Sequence, residues 1–476
     1  MLRLKLERGD GPIADQAVAL ISEMIASGRL AAGQKLPSVR SFAEENAISK
    51  STAVTIYDRL VASGVVISKR KVGFFVAGVR APLELSDSIN FAEREVDPLW
   101  VARQAFMGDA AMLKPGCGWL PDDWLDCDNL RRALRKISRS PDAQLASYGS
   151  PLGYQPLRTQ IEVILAGREI AAPSRQIMLT DSASHAIDLV TRLFLKPGDT
   201  VFVDDPGYYM LLSNLRAQRA NVVGIPYTRT GPDVEAFAEA AARQRPVLYI
   251  TNSALHNPTG ATLTASTAHQ LLKLAEQHDI AILEDDIYAD FDETPSPRLA
   301  TLDQLDRVIT IGSFSKTLSA ACRCGWIACR KDWLDGMADL KLATALTSNE
   351  LSAQLAHAVL KDGSYRRHVA TIRDRLARAA VGVRRQIERA GLELWLEPTG
   401  GMFLWARLPA GVDATEVARQ ASREGVAMAP GDVFSISRSA GNYLRFNIAQ
   451  SRHERIYECL GRAIDAALAS SAKSVA

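Results

Sequence analysis

Over the first eighty residues the apolar positions keep a helical rhythm and then change to two short alternating runs. Ala17, Leu20, Ile21, Met24 and Ile25 recur every three or four residues, which predicts a helix from Ala14 to Ser27, closed by Gly28 and Gly33. Val39, Phe42 and Ala43 predict a second, shorter helix after Pro37-Ser38. Ser49 stands where a cap would open a third, through Ala53, Val54, Tyr57, Leu60 and Val61 to Gly64. Val65-Val66-Ile67 and Phe74-Phe75-Val76 read as strands on either side of Lys69-Arg70-Lys71. Three helices and a two-stranded wing predict a winged helix-turn-helix over residues 1–78. Residues 79–98 are polar and aperiodic and read as a linker that lets the head move.

Beyond the linker the pattern alternates strand-like apolar runs with helical ones, which predicts an α/β body over residues 99–476. The expected strands are Gln176–Leu179, Thr200–Val203, Val222–Ile225, Val247–Ile250, Ala281–Leu283 and Val308–Ile311. Chemically capable residues follow the ends of these runs, where open α/β sheets bind ligands. No Walker A loop or GxGxxG follows a strand, so nucleotide binding has no support.

Composition adds a contrast between the two parts. The 476 residues, 47% hydrophobic and 23% charged, suit a globular chain of two or three domains. The net charge of +2 divides into +5 over residues 1–80 and −3 over the rest, which points to a polyanion partner for the head alone. The six cysteines show no CxxC pair. Cys322 and Cys324 flank Arg323 without a ligand-type histidine close in sequence, so they read as buried thiols and no metal is expected. There is no apolar leader and no membrane-length run, so a cytoplasmic location is expected.

The third helix opens with Ser49, Lys50, Ser51 and Thr52, the kind of N-terminal turn that meets phosphates and base edges in a major groove. Arg40 and the wing cations add possible phosphate contacts, although Lys71 alone reads best as a solvated charge. The run Leu36-Pro37-Ser38-Val39-Arg40, Ile48-Ser49-Lys50-Ser51-Thr52 and Tyr57-Asp58-Arg59-Leu60 resembles the GntR family of bacterial regulators. That resemblance implies a double-stranded DNA operator and maps specificity onto Arg40, Lys50, Ser51 and Thr52. Two positions depart from the family: Lys50 replaces the usual arginine, which gives up bidentate guanine reading, and Lys71 replaces a wing glycine.

In the body, Asp181-Ser182-Ala183-Ser184 precedes a helix and could hold a phosphate or simply cap the helix. Tyr208, in Pro206-Gly207-Tyr208, reads equally as a stacking platform or a core tyrosine. Asn257-Pro258-Thr259-Gly260 offers an amide on a rigid turn. His256 before it reads as a surface or loop-supporting residue rather than a catalytic one. In Glu284-Asp285-Asp286-Ile287-Tyr288, a carboxylate at a strand end could pair with a protonated pyridine nitrogen, and the phenol could bond the ring's hydroxyl. Lys316, with Ser313, Ser315 and Arg323, combines a Schiff-base amine with phosphate donors, and Arg445 suits a bidentate carboxylate grip.

Taken in order, these segments resemble the fold-type-I aminotransferases over nearly the whole body. The resemblance implies a large domain with a mainly parallel sheet and a smaller α+β domain. It implies pyridoxal 5′-phosphate on Lys316 as an internal aldimine, with Asp285 at the pyridine nitrogen. Asn257 and Tyr288 would meet the 3-oxygen, and Tyr208 would stack on the ring. Ala183, Ser184, Ser313 and Arg323 would bind the phosphate, and Arg445 a substrate carboxylate. Tyr148, in Tyr148-Gly149-Ser150-Pro151, matches a tyrosine that reaches the partner subunit's phosphate, which implies a homodimer. Ser182 in place of the usual loop glycine, and Ser184 in place of a longer polar residue, depart from the pattern.

The joined halves resemble the MocR subfamily of GntR-type transcriptional regulators. The expected function is a PLP-dependent DNA-binding regulator that senses PLP, an amino compound, or both through Lys316. The alternative is a working aminotransferase with an accessory DNA-binding head.

Overall fold

A computed structural model of the chain describes all residues except 1, 5, 7–10, 28, 32, 70–71, 78–95, 110, 142–144, 294–295 and 476, and leaves out the side chains of 26 and 470–475. It divides into two compact units, Met1–Ile89 and Asn90–Ala476. Most of the expected linker, together with Arg70 and Lys71 of the wing, lies outside the described residues.

The head contains α1 (Ile13–Ala26), α2 (Val39–Glu45) and α3 (Lys50–Ala62), followed by β1 (Val66–Lys69) and β2 (Gly73–Val76). Ser38 and Ser49 cap α2 and α3 by accepting from the amides of Ser41 and Thr52. The helical stripes meet in one core of Ala17, Ile21, Phe42, Ala53, Ile56 and Leu60. Tyr57 packs edge-on against Phe42 and Phe74, and its hydroxyl donates to the Pro37 carbonyl at 2.8 Å. The wing pairs antiparallel, with Val66 opposite Val76. Between α2 and α3 the chain reverses at Ala47, whose φ of +52° is left-handed, and the Ile48 amide donates back to the Ala43 carbonyl at 3.1 Å.

The body is built on β3 (Ile177–Thr180), β4 (Thr200–Asp205), β5 (Asn221–Thr228), β6 (Gly231–Pro232), β7 (Leu248–Thr251), β8 (Ala281–Asp285), β9 (Val308–Ser313) and β10 (Gly325–Ala328). Their order in the sheet is β3-β10-β9-β8-β7-β4-β5-β6. The six runs expected as strands all occur, and β4, β5, β7, β8 and β9 are parallel. Alternate residues feed two opposite cores, Val201 and Val203 packing on one face and Phe202 on the other. Two strands are unexpected: the two-residue β6, antiparallel to β5 at the sheet edge, and β10, which is antiparallel to both β3 and β9. Its reversed direction puts its first residue, Gly325, level with Ser313 and Thr180 at the edge where the parallel strands end. A Cβ on Gly325 would lie 2.7 Å from the Ser182 carbonyl carbon, so only glycine lets β10 pass this close to the turn after β3.

A second sheet, ordered β11 (Glu393–Leu394), β12 (Phe403–Arg407), β14 (Tyr443–Asn447) and β13 (Ala429–Pro430), is antiparallel throughout. Helices Ser364–Arg389, Ala414–Arg423 and Glu454–Val475 accompany it. The strap of residues 113–119 is sewn to this smaller layer. The Leu113 amide donates to the Gly425 carbonyl, the Ala427 amide to the Leu113 carbonyl, and the Asn447 amide to the Pro115 carbonyl, at 2.7–2.9 Å. A Cβ on Gly116 would sit 2.5 Å from the Ala429 nitrogen, which holds the strap flush against β13. Among the described residues no helix is long and apolar enough to cross a membrane.

Ala47 adopts a conformation that an L-residue reaches only at a cost. Ala47→Gly is expected to stabilise the head by about 1 kcal/mol. Amide hydrogen exchange of α1–α3 measures this, and a loss of protection would contradict it.

Candidate functional site

The carboxyl ends of β3, β4, β7, β8 and β9 share one edge of the large sheet, and β10 begins there. Residues far apart in sequence therefore face one cleft. Lys316 follows β9 by three residues and is half-buried in that cleft. Burial brings its ammonium down to about 8, helped by nearby Arg445 and Arg323 and opposed by Asp285. A lysine so placed carries a far larger neutral fraction near neutral pH than an ordinary lysine does.

Asp285 stands in a run of three acids, and alternation along β8 separates their tasks. Glu284 turns away and accepts from the amides of Leu299 and Ala300 at 2.8 and 2.9 Å and from the Ser253 hydroxyl. Asp286 is balanced by Arg298 at 3.0 Å and Arg168 at 3.3 Å. Asp285 faces Lys316, and its carboxylate accepts from the Ile287 amide at 3.2 Å. Burial raises it to about 7, with Asp286 adding to the rise and Lys316 opposing it. A cationic ring nitrogen is the partner such a carboxylate lacks.

Asn257 and Tyr288 meet at 3.4 Å between amide nitrogen and phenol oxygen. Tyr208, half-buried beside them, shares a hydrogen bond with Ser184, and burial raises its phenol. Ser182 caps the helix Ala183–Phe194 through the His185 amide at 3.0 Å, so the first-turn amides of Ala183 and Ser184 are outside the helix's own ladder. Ser313 bonds Ser315 at 2.9 Å and the Cys324 carbonyl at 3.2 Å. Arg323 is exposed at the rim in a left-handed turn with φ of +43°.

Arg445 closes the cleft from the smaller sheet. It is 2% exposed, and its guanidinium lies 4.4 Å from the Phe403 ring and 4.7 Å from that of Phe434. One Nη donates to the Asn257 side chain and the other to the Gly116 carbonyl, both at 2.6 Å, while Nε has no hydrogen-bond partner among the described residues. A buried guanidinium without a carboxylate is poised for an incoming anion.

His256 is neither a surface residue nor in the cleft. It is fully buried, stacked on Tyr227 at 3.7 Å, bonded to Thr259 at 2.8 Å and 3.3 Å from Asp204, so it supports the Asn257 turn. Tyr148 is not brought into the cleft of its own chain and is 83% exposed. The buried Lys341 donates at 2.8 Å to the carbonyls of Pro151 and Leu179 and fixes the loop that presents it. Cys322 and Cys324 are buried free thiols.

The strap was not singled out from sequence. A Cβ on Gly118 would lie 4.0 Å from the Lys316 nitrogen, and Cys117 is buried close enough to feel both Lys316 and Arg445. The Pro-Gly dipeptide there announces a turn, but nothing local ties it to Lys316 and Arg445 so much later in the chain.

On the head, Lys50 and Ser51 are exposed at the start of α3. The Ser49 hydroxyl is occupied in capping Thr52 and in contacts of 2.8 Å with the Ser51 and Thr52 hydroxyls. Arg40 is exposed and pairs with Glu44 at 3.1 Å, a surface contact weak enough to yield to a phosphate.

The signature of the family described as aminotransferase class I and II matches residues 118–462, and that of the bacterial regulatory proteins of the gntR family matches residues 13–76. The chain belongs to the class I and II aminotransferases and carries a GntR-type head. It is 31% identical to the uncharacterized HTH-type transcriptional regulator YjiR of Escherichia coli, over 93% of this chain and 96% of that one. It is 27% identical to the uncharacterized HTH-type regulator YdfD of Bacillus subtilis, over 92% and 93%. Among solved structures, the α-aminoadipate aminotransferase LysN of Thermus thermophilus, complexed with N-(5′-phosphopyridoxyl)-L-leucine, superposes with a TM-score of 0.71 at 25% identity. That match covers 80% of this chain and 97% of LysN. The kynurenine aminotransferase of Pyrococcus horikoshii, in complex with PMP, superposes with a TM-score of 0.72 at 26% identity, over 80% and 97%.

Within this aminotransferase cleft, the raised Asp285 carboxyl has a pH signature. Its folded value near 7 lies above an unfolded value near 4, so its contribution to stability is present at low pH and lost as pH rises through 7. Asp285→Asn is therefore expected to raise the melting temperature of the cofactor-free protein at pH 8 and to leave it unchanged near pH 3. Thermal unfolding at the two pH values checks this, and an equal shift at both would contradict it.

Proposed function

We propose that the protein is a DNA-binding transcriptional regulator of the MocR type, whose aminotransferase-like body uses pyridoxal 5′-phosphate to read an amino compound. The observation that carries this is one cleft holding the amine of Lys316, the carboxylate of Asp285 and the buried guanidinium of Arg445, on a chain that begins with a helix-turn-helix. Relatives that match the full chain are HTH-type regulators, while plain aminotransferases match the body.

Pyridoxal phosphate, when bound, supplies an aldehyde that captures amines and a ring that draws electrons from them. The chain's own residues set the terms. Lys316 would offer its amine to the aldehyde. Asp285 would hold a proton on the ring nitrogen, and Asn257 and Tyr288 would bond the 3-oxygen. Tyr208 would stack on the ring. The Ala183 and Ser184 amides, Ser313 and Arg323 would hold the phosphate, and the reversed β10 is what brings Arg323 to the same edge as Ala183. Arg445 receives the carboxylate of an amino compound, selecting effectors that carry one. We read Tyr148 as the residue that reaches the phosphate of a second copy, supported by its exposure and by the Lys341 anchor, so the working unit is a homodimer. On the head, Lys50 and Ser51 face the groove and Arg40 the backbone, with Ser49 and Thr52 holding the turn in shape. A ligand shifts DNA binding only through different affinities for two states of the protein.

The second reading, a working aminotransferase, rests on the presence of Lys316, Asp285 and Arg445 together. Multiple turnover with amino and 2-oxo acids, without salt-sensitive binding to the DNA upstream of its own gene, would favour it over the regulator.

Lys316→Ala is expected to abolish the visible absorbance of protein-bound cofactor while leaving the fold intact. Lys50→Ala is expected to lower DNA affinity and reduce the salt slope by about one, with cofactor uptake unchanged. Arg445→Gln is expected to keep the cofactor and lose the response to carboxylate-bearing amines. Absorbance titration and DNA-binding anisotropy separate the three outcomes.

A further inference from the structure

The two residues that define the cleft, Asp285 and Lys316, are each followed by a residue that turns away from it. Behind the cleft, both of these neighbours are tied into one hydrogen-bonded cluster. Arg168 donates to Asp286 at 3.3 Å and to Asp290 at 2.8 Å. The other oxygen of Asp290 accepts from the Tyr365 hydroxyl and lies 3.4 Å from the Thr317 hydroxyl. Thr317 and Tyr365 are themselves bonded at 2.5 Å, and His368 holds the Thr317 carbonyl at 2.9 Å. The Asp290 carbonyl accepts from Arg373 at 2.7 Å.

Tyr365, His368 and Arg373 all belong to the helix Ser364–Arg389, which spans the two layers of the body. Its start, at Tyr365 and Val369, packs in a core of the large sheet, and Ile372, Leu376, Val383 and Ile387 pack with the smaller one. The clamp on Thr317 is thus set by an element whose other end carries the layer of Arg445.

We propose that Asp290 is a positioning residue: through Arg168 and Tyr365 it fixes Thr317, and so Lys316, at the distance from Asp285 that lets the lysine nitrogen meet a cofactor aldehyde. It touches neither the cleft nor the cofactor. This inference rests on the cofactor reading above. The step it governs is addition of the Lys316 amine to the aldehyde carbon, with one water lost as the C=N bond forms. A displacement of a reacting group by about 1 Å is costly in rate, while binding of the rest of the ligand need not change.

The test compares pyridoxal phosphate with pyridoxamine phosphate, which has no aldehyde and cannot bond Lys316. In Asp290→Asn, bond formation followed by stopped-flow absorbance is expected to slow about 10-fold, with pyridoxamine phosphate affinity within about 2-fold of the parent. Tyr365→Phe cuts the same link on the Thr317 side and is expected to show a smaller slowing of the same kind. It decides alone if Asp290→Asn does not fold. Parental rates in the folded variants would overturn the inference, and so would an equal loss of both ligands, which marks a general structural role. If the parent protein itself never bonds pyridoxal phosphate, the cofactor reading fails instead.

Discussion

Lys316 and Arg445 are two cations that must share a cleft largely shut off from water, and the rest of the site is arranged around their mutual repulsion. Like charges in such surroundings repel far more strongly than on a surface. Burial, with Arg445 adding to it, brings the Lys316 ammonium down to about 8. Arg445 cannot deprotonate, so its charge is spread over two oxygen acceptors and the faces of aromatic rings. Asp285 supplies the opposing charge, but in burial it holds its proton up to about pH 7. A ligand with a cationic ring and anionic groups would match all three at once.

The reversed strand β10 answers the same problem in geometry. Were all eight strands parallel, the chain would cross to the far edge before β10, and Arg323 would emerge away from the cleft. Reversal lets the short link from β9 place Lys316, Arg323 and Gly325 close together on one rim. The turn after β3 then lies beside Arg323, which stands two residues before a strand that pairs directly with β3.

Much of this was legible in sequence where the signal was local. The head follows from helical spacing and the Ser49 cap, and the large-sheet runs are apolar because both faces are covered. β10 escaped because Gly-Trp-Ile-Ala is only four residues long and begins with glycine. In the small sheet β11 and β13 escaped because they are two residues each. Lys316, Asp285, Asn257 and Arg445 could be named from motifs, but not the reason that Asp285 rather than Glu284 or Asp286 is left without a cationic partner of its own. That choice depends on Arg168, Arg298 and the helix at Leu299. Asp290, Tyr365 and the strap at Gly116 to Gly118 carry no motif and become visible only when the chain is folded.

The strap has a thermodynamic consequence. Its Gly116 carbonyl occupies one Arg445 nitrogen, and the chain running back from it enters the helix Pro98–Met107. A carboxylate that took over that nitrogen would break this one hydrogen bond, while the backbone bonds at Leu113, Pro115 and Gly116 would still hold the strap to the small sheet. A hydrogen bond to a charged donor is worth about 1.5–3 kcal/mol, so an anion at Arg445 would compete with the Gly116 carbonyl on a scale of roughly 10- to 150-fold in its own affinity.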